Sequence, residues 1–428
     1  MVKIILPILA VVASAATDFS RENLQKWADY KHKFNKNYSD KEDNARASTF
    51  FKNLESHETK GAFIKNGINQ FSDMTKEEFL DKFTLINQPY PEDDEQFECP
   101  EKFNETVTYP EVPSIYKDDF DWRDPSKNHL NVVADLGAKN QASCGSCYAF
   151  SAVAAMEGNL CKQGAYDCDP NSADLWQGIS EQNVLDCGSY KDSEETRPWY
   201  SFGGCHGGWQ SNVFQYVYKT GGINHAVNYP YESGNSTAFD NGMNIGECRF
   251  EPENNAGFPD KNICGTVNKY GPVDQNTDLM KLALFEKGPL AVSLWVNGTW
   301  RDYESGLYTH EQAELDCNVD HTISHCVTVV GWGTWVNPVD SADQRQYWIV
   351  KNSWGPTWGE NGYINMEMGY NSCGIEGNVH YANMMVPDVH EPEVPTDMPT
   401  DAPVTESSSF RSLMSFGVLS LVLSSIKF

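Results

Sequence analysis

The stretch QASCGSCYAF, residues 141–150, sets Cys144 and Cys147 three positions apart ahead of an alanine-rich, proline-free run. Thiols at that spacing serve three chemistries: half of a structural zinc site, a dithiol redox couple, or one reactive sulfur beside a structural one. It is the only CxxC in the chain, and a structural zinc needs four ligands, usually as two pairs. A redox couple is expected near a βαβ pattern. The upstream sequence VPSIYKDDFDWRDPSKNHLNVVADLGAKNQ is instead rich in turn formers. YAFSAVAAMEG reads as a helix with Cys147 in its first turn. There the positive end of the helix dipole is expected to favour the thiolate and lower the thiol pKa from about 8.5. Such a nucleophile still needs a base, a group to orient the base, and donors for a developing oxyanion.

Candidates for all three are present. Of ten histidines, His325 opens the β-branched run HCVTVVGWG, whereas His321 sits in the polar loop DCNVDHTIS and reads as an ordinary loop residue. YWIVKNSWGPTWGENGY, residues 347–363, carries Asn352 and Trp354, and the triplet KNQ ends in Gln141, six residues before Cys147.

Taken together, these strings resemble the papain-like cysteine proteases, a cathepsin L-type zymogen with insertions and a C-terminal tail. ISEQNVLDC, GGCHGGW, YPY at 229–231, KGPLAV and YESGLY are similar to further landmarks of that family and occur in its order. The resemblance implies an α+β, papain-like two-domain fold. A mainly helical left domain would face a β-barrel-like right domain across the active-site cleft, with a helical propeptide in front. It implies Cys147 as attacking sulfur in a thiolate-imidazolium pair with His325. Asn352 would orient His325, Trp354 would shield that bond, and Gln141 with the Cys147 N–H would hold the oxyanion. Gly207 and Gly208 would let an extended substrate pair with backbone, while Trp209, Gln210, Cys326 and Asn378 would border the pocket for the second acyl-side residue. Cys326 replaces the usual alanine after the histidine. Bridges Cys144–Cys205, Cys187–Cys248 and Cys317–Cys373 follow from the same resemblance. Cys161 and Cys168 are close enough in sequence for a local bridge, and Cys99, Cys264 and Cys326 have no assigned partner.

Ahead of the enzyme, Glu42, Arg46, Phe50 and Asn53 resemble the family's inhibitory ERFNIN helix, with His57 and Gly61 departing from it, and residues 67–73, GINQFSD, complete its companion motif. The expected latency is a prosegment that crosses the cleft and is released when acid protonates carboxylates such as Asp73, with the cut between Phe103 and Tyr116. The separation of Cys147 and His325, 178 residues, exceeds the roughly 130–150 of the family. The excess is assigned to polar runs at 161–178, 188–202, 232–262 and 334–345. A carboxydipeptidase would need a histidine in 232–262, and none is there. NQASCGSCY resembles the dipeptidyl peptidase branch, so an exopeptidase is the alternative to the endopeptidase favoured here. A thiol oxidoreductase and a non-catalytic surface protein are the readings from other classes.

The wider chain gives the setting. It has 428 residues and a formal net charge of −28, from 60 acidic against 32 basic residues, which argues against nucleic acid as partner. Lys3, the apolar Ile4–Val12 and Ala13-Ser14-Ala15 form a secretory signal. Sequons at Asn37, Asn104, Asn235 and Asn297 agree with it, and twelve cysteines in that compartment read as bridges. The expected organisation is a signal peptide 1–16, an inhibitory propeptide 17–111, a peptidase domain 112–385, a Pro/acidic linker 386–412 and an apolar tail 413–428. A GPI-anchor signal is one reading of that tail, with membrane anchoring as its consequence; a loose amphipathic end is the other. Lysosome, vacuole or extracellular space is the expected destination. A monomer is expected, with protein or peptide substrates, its own propeptide as intramolecular inhibitor, and no cofactor or metal.

Overall fold

Two aromatic helices open the described chain. In the computed structural model the described residues are 21–57, 63–84, 101–104, 111–189, 202–235, 244–250, 263–296, 298–317 and 323–386. The signal segment, Gly61, Cys99, Asn297, His321, the linker and tail, and most of the 188–202 and 232–262 runs lie outside them. Helices α1 (Arg21–Lys33) and α2 (Asp40–His57) bury Trp27, Tyr30, Ala47 and Phe50 in a small core of their own. The helical spacing of the ERFNIN positions turns Phe50 inward and leaves two polar anchors beside it. Arg46 makes a fork of bonds to Glu78, at 2.5 and 2.6 Å, and the Asn53 amide donates to the carbonyls of Ser72 and Met74 at 2.8 and 2.9 Å. Strand β1 (Ile64–Asn66) leads to α3 (Lys76–Phe83), which starts where the Thr75 hydroxyl caps the Glu78 N–H.

Next come β2 (Phe120–Asp121) and three helices, α4 (Cys147–Lys162), α5 (Glu181–Gly188) and α6 (Gln210–Thr220). Helix α4 is buried on every side from Cys147 to Cys161. Its alanines and Gly158 allow that, since small side chains let neighbours close on a central helix; a Cβ on Gly158 would strike Pro289. Gly221, at φ 76°, ends α6 in the left-handed region. These helices share one hydrophobic core with Tyr148, Val184, Phe214 and Val217.

The remaining elements are β3 (Ile223–Asn224), β4 (Ile263–Val273), α7 (Thr277–Lys287), β5 (Leu290–Leu294), β6 (Tyr303–Tyr308), α8 (His310–Cys317), β7 (His325–Val336), β8 (Gln344–Lys351), β9 (Tyr363–Glu367) and β10 (Asn378–Met385). The sheet runs β1-β6-β9-β8-β7-β5-β10-β4-β3, with β2 beside β7. A prosegment strand is therefore its outermost member. A second core of Trp122, Trp332, Trp348, Trp300 and Trp358 fills this lobe. Bridges join Cys144–Cys205, Cys161–Cys168, Cys187–Cys248 and Cys317–Cys373, while Cys147, Cys264 and Cys326 are free and buried. Among the described residues no helix is long and apolar enough to cross a membrane.

The Arg46–Glu78 fork yields a prediction. Hydrogen bonds from Arg46 hold the Glu78 carboxyl below its ordinary 4.5, at about 2. A carboxyl so depressed adds stability in full above 4.5 and loses it as pH falls toward 2. Arg46→Ala in a Cys147→Ser precursor should cost about 1–3 kcal/mol, equally at pH 7 and pH 5, with the gap closing only in stronger acid. Urea unfolding at these pH values measures it.

Candidate active site

The nucleophile candidate is placed by its neighbours on both sides. The Cys144–Cys205 bridge and a bond from the Gly145 N–H to the Cys205 carbonyl (2.9 Å) fix the approach to α4. One turn beyond Cys147, the Ser151 hydroxyl donates to the Val327 carbonyl at 2.6 Å, and the Thr328 hydroxyl donates to the Ser151 carbonyl at 3.2 Å. These two bonds lay α4 along β7. The first residues of β7, His325 and Cys326, thus stand at the Cys147 end of the helix, and the Cys326 thiol is an immediate neighbour of the Cys147 thiol.

His325 is fully buried and its Nε2 meets Asn352 Oδ1 at 2.8 Å. That oxygen also accepts the Ser353 N–H at 2.7 Å, which identifies it as the carbonyl end of the amide. An acceptor there requires a proton on Nε2, so in the neutral ring Nδ1 carries a lone pair. Nδ1 is buried with no hydrogen-bond partner. Trp354 stacks on the imidazole at 4.8 Å and 25° and closes the His325–Asn352 bond off from solvent.

Gln141 is oriented from three directions. Its N–H donates to the Ser353 carbonyl (2.8 Å), its Oε1 accepts the Ser353 hydroxyl (2.6 Å), and its carbonyl accepts the Tyr231 hydroxyl (2.8 Å). The amide nitrogen is left to donate, to the Cys144 carbonyl at 2.7 Å and toward the Phe83 carbonyl at 3.4 Å. Phe83 belongs to the prosegment. The Thr84 carbonyl follows it over Gly145, 3.3 Å from where a Cβ would stand. Backbone of residues 83 and 84 therefore occupies the space in front of the Gln141 amide and Gly145. Phe79 packs edge-on against Trp354 at 4.9 Å and Phe71 at 6.0 Å, with Phe83 stacked on Phe79 at 5.6 Å. Gln70 fastens this lid by donating to the Trp354 carbonyl (2.5 Å) and accepting from Thr357 (2.6 Å).

Burial sets the protonation states. It pushes the Cys147 thiol well above its ordinary value, with the Cys326 thiol adding to the rise. This corrects the expectation of a lowered thiol: in this buried site, desolvation of a thiolate outweighs the helix dipole. Burial likewise lowers His325 from 6.5 to about 4, against the opposing bond to Asn352. Burial thus disfavours the charged form of both the thiol and the imidazole.

The other expected positions fall in two places. Gln210 Oε1 accepts from Ser293 (2.7 Å) and Cys326 (3.3 Å), and its amide nitrogen donates to Asn378 at 3.1 Å, so Gln210, Cys326 and Asn378 form one polar group beside the thiol. Trp209 caps the start of α6, next to Gly207 at φ 111° and to Gly208, where a Cβ would meet Tyr148 and Phe202 at 2.8 Å. Asn37 and Asn235 are exposed and Asn104 half-buried. Ser353, Tyr231, Ser151 and Phe83 were not given roles from sequence; Ser353 had a signal in its place inside KNSWG and Tyr231 in its place inside YPY.

Behind Gln141, Lys139 lies between two buried carboxylates, Glu157 at 2.5 Å and Glu181 at 2.7 Å. One cation faces two acids there, and burial raises the Glu181 carboxyl above 4.5.

Residues 116–383 match the family described as papain family cysteine protease, and residues 27–79 match the cathepsin propeptide inhibitor domain. Cathepsin L2 of Homo sapiens is 30% identical over 383 residues, covering 87% of this chain and 96% of that protein. Cysteine proteinase 15A of Pisum sativum is 30% identical over 358 residues, covering 82% and 84%. The structure of digestive procathepsin L 3 from Tenebrio molitor larval midgut aligns with a TM-score of 0.61 at 27% identity, over 84% of this chain and 98% of that one.

The Lys139 cluster predicts acid stability. A carboxyl raised in the fold costs nothing below 4.5 and penalises the folded state increasingly as pH rises through the raised value. Glu181→Gln should therefore flatten the decline in urea midpoint between pH 5 and pH 7.5, leaving the acid value nearly unchanged.

Proposed function

The chain belongs to the papain family of cysteine proteases and carries that family's propeptide inhibitor domain, and from this premise we propose that it is an endopeptidase made latent by its own residues 17–111. It enters the secretory pathway through residues 1–16 and acts in a lysosome, a vacuole or outside the cell. One observation carries the reading: the Phe83 carbonyl stands at the Gln141 amide, while the buried His325 Nδ1 has no hydrogen-bond partner. A peptide carbonyl faces the amide that would receive an oxyanion, and the imidazole that would act as base is unused.

Once the cover is gone, both groups regain water and the penalty on charge falls. The Cys147 proton moves to His325 Nδ1, giving the thiolate and imidazolium. Sulfur then bonds to the substrate carbonyl carbon, and the carbonyl electron pair moves to oxygen, where the Gln141 amide and the Cys147 N–H receive it. On collapse the C–N bond breaks, and the amine leaves with the His325 proton. Water repeats the sequence on the acyl-enzyme, giving its proton to His325, and the released sulfur recovers it. Asn352 keeps the ring in the tautomer this requires.

Acid release follows from the same burial. Asp73 bonds Lys36 and Tyr38, both in the prosegment, so it fastens the prosegment to itself and not to the enzyme. His325 couples the prosegment to the enzyme. Held at about 4 when covered and ordinarily at 6.5, it takes up fewer protons in the covered state between those values. The covered state is unpenalised above 6.5 and increasingly disfavoured as pH falls to about 4.

After acid treatment, an epoxide thiol-protease inhibitor should label Cys147 alone, read by mass spectrometry; a label elsewhere, or none, removes the assignment. Precursor conversion should be faster at pH 4.5 than at pH 7, and equal rates would overturn the role given to burial. Gln141→Ala should lower kcat by about 10²–10³. Ser353→Ala, which only frees the Gln141 amide to turn, should lower it about fivefold, as one neutral hydrogen bond allows.

A further inference from the structure

The β7–β8 hairpin contains the 334–345 run assigned above as an insertion, and part of it touches the prosegment. Trp335, half-exposed near the end of β7, packs its ring 5.2 Å from that of Phe63, and the Arg345 guanidinium lies 4.5 Å above the Phe63 ring on the same hairpin. Arg345 is held in place by Glu311 at 3.1 Å, Asp343 at 3.2 Å and Glu367 at 3.3 Å. Phe63 immediately precedes β1, which pairs antiparallel with β6 in the register Ile64 with Gly306 and Lys65 with Ser305. The Leu307 N–H donates to the Phe63 carbonyl at 2.9 Å, and the Gly67 N–H donates to the Asp302 carbonyl at 2.9 Å. Gly306, at φ 98°, leaves room for the Phe63 carbonyl where any side chain would block it. Lys65 reaches Glu304 at 2.7 Å.

In the sheet β6 lies between β1 and β9. Removal of the prosegment makes β6 an edge strand with free N–H and C=O groups, flanked by an uncovered indole and guanidinium. An edge strand of this kind recruits an extended peptide, with the backbone giving affinity and side-chain seats giving selectivity.

We propose that this vacated face is an exosite of the mature enzyme. It would take an extended segment of a protein substrate that carries an aromatic residue, seated between Trp335 and Arg345, and a basic residue two positions later, facing Glu304. The occupant chemistry is that of Phe63–Asn66 itself. The inference rests on the endopeptidase reading only in supposing that the prosegment leaves and substrates arrive.

The test uses full-length precursor whose prosegment has been removed by pepsin. Two unfolded polypeptide substrates share one cleavable sequence and differ only in an appended Phe-Ile-Lys-Asn or Ala-Ile-Lys-Asn tract. The aromatic tract should raise kcat/KM about five- to tenfold, the range of one aromatic and cation–π seat. The gain should vanish in Trp335→Ala and on adding the acetylated peptide FIKNGIN, while a short fluorogenic peptide is cleaved at unchanged rate throughout. Equal kcat/KM for the two tracts overturns the proposal without relying on the folding of any variant. So does inhibition of the short substrate by FIKNGIN, which would put that peptide in the cleft. Binding of labelled FIKNGIN with no gain from the tract would assign the face to the prosegment alone and would equally overturn it. A stripped chain that cleaves nothing yet binds FIKNGIN in a Trp335-dependent way would instead sink the endopeptidase reading.

Discussion

The seam between α4 and β7 is the constraint on which the rest of the structure depends. Two buried bonds through Ser151 hold helix and strand in one register, and a slip of one residue on either element would shift Cys147 relative to the start of β7. The alanines of α4 serve the same end, since a bulkier face could not lie this close to the strand. The second clamp is the zipper between residues 139–141 and 353–355, where Gln141 and Ser353 exchange backbone and side-chain bonds and the Gly355 N–H meets the Lys139 carbonyl. Helix, strand and the Gln141 amide are thereby referred to one frame.

Within that frame, latency works through solvent as much as through obstruction. The prosegment puts a carbonyl in front of Gln141, and its phenylalanines extend the shield that Trp354 already places over the imidazole. Removing water from a thiol and an imidazole favours the form of each that carries no charge. On the proposed reading, the precursor keeps its reacting groups uncharged, and uncovering would restore their chemistry without rebuilding the site.

Much of this was legible in the chain. Cys147, His325, Asn352 and Gln141 each sit in a contiguous string, and a contiguous string survives being read in one dimension. The helix beginning at Cys147 followed from its alanines, and the polar group around Gln210 and Asn378 from positions in ordered landmarks. What escaped was made by pairing across the chain. Ser151 is one serine in a helix until Val327 lies against it. Lys139, Glu157 and Glu181 are scattered acids and a base until folding sets the half-buried lysine between the two buried carboxylates. Phe83 has no local mark at all. The direction of the Cys147 shift was misread for the same reason: the dipole is local to α4, whereas burial and the Cys326 thiol act on Cys147 only in the folded chain.

The small core of Trp27, Tyr30, Ala47 and Phe50 belongs wholly to the prosegment. A segment with its own interior opens as a cooperative unit, since losing one of those aromatic contacts weakens the others. Arousal of the enzyme then has a threshold: the inhibitor holds as a block until its fastenings fail together, and a population of precursors passes from dormant to competent with few molecules caught half undone.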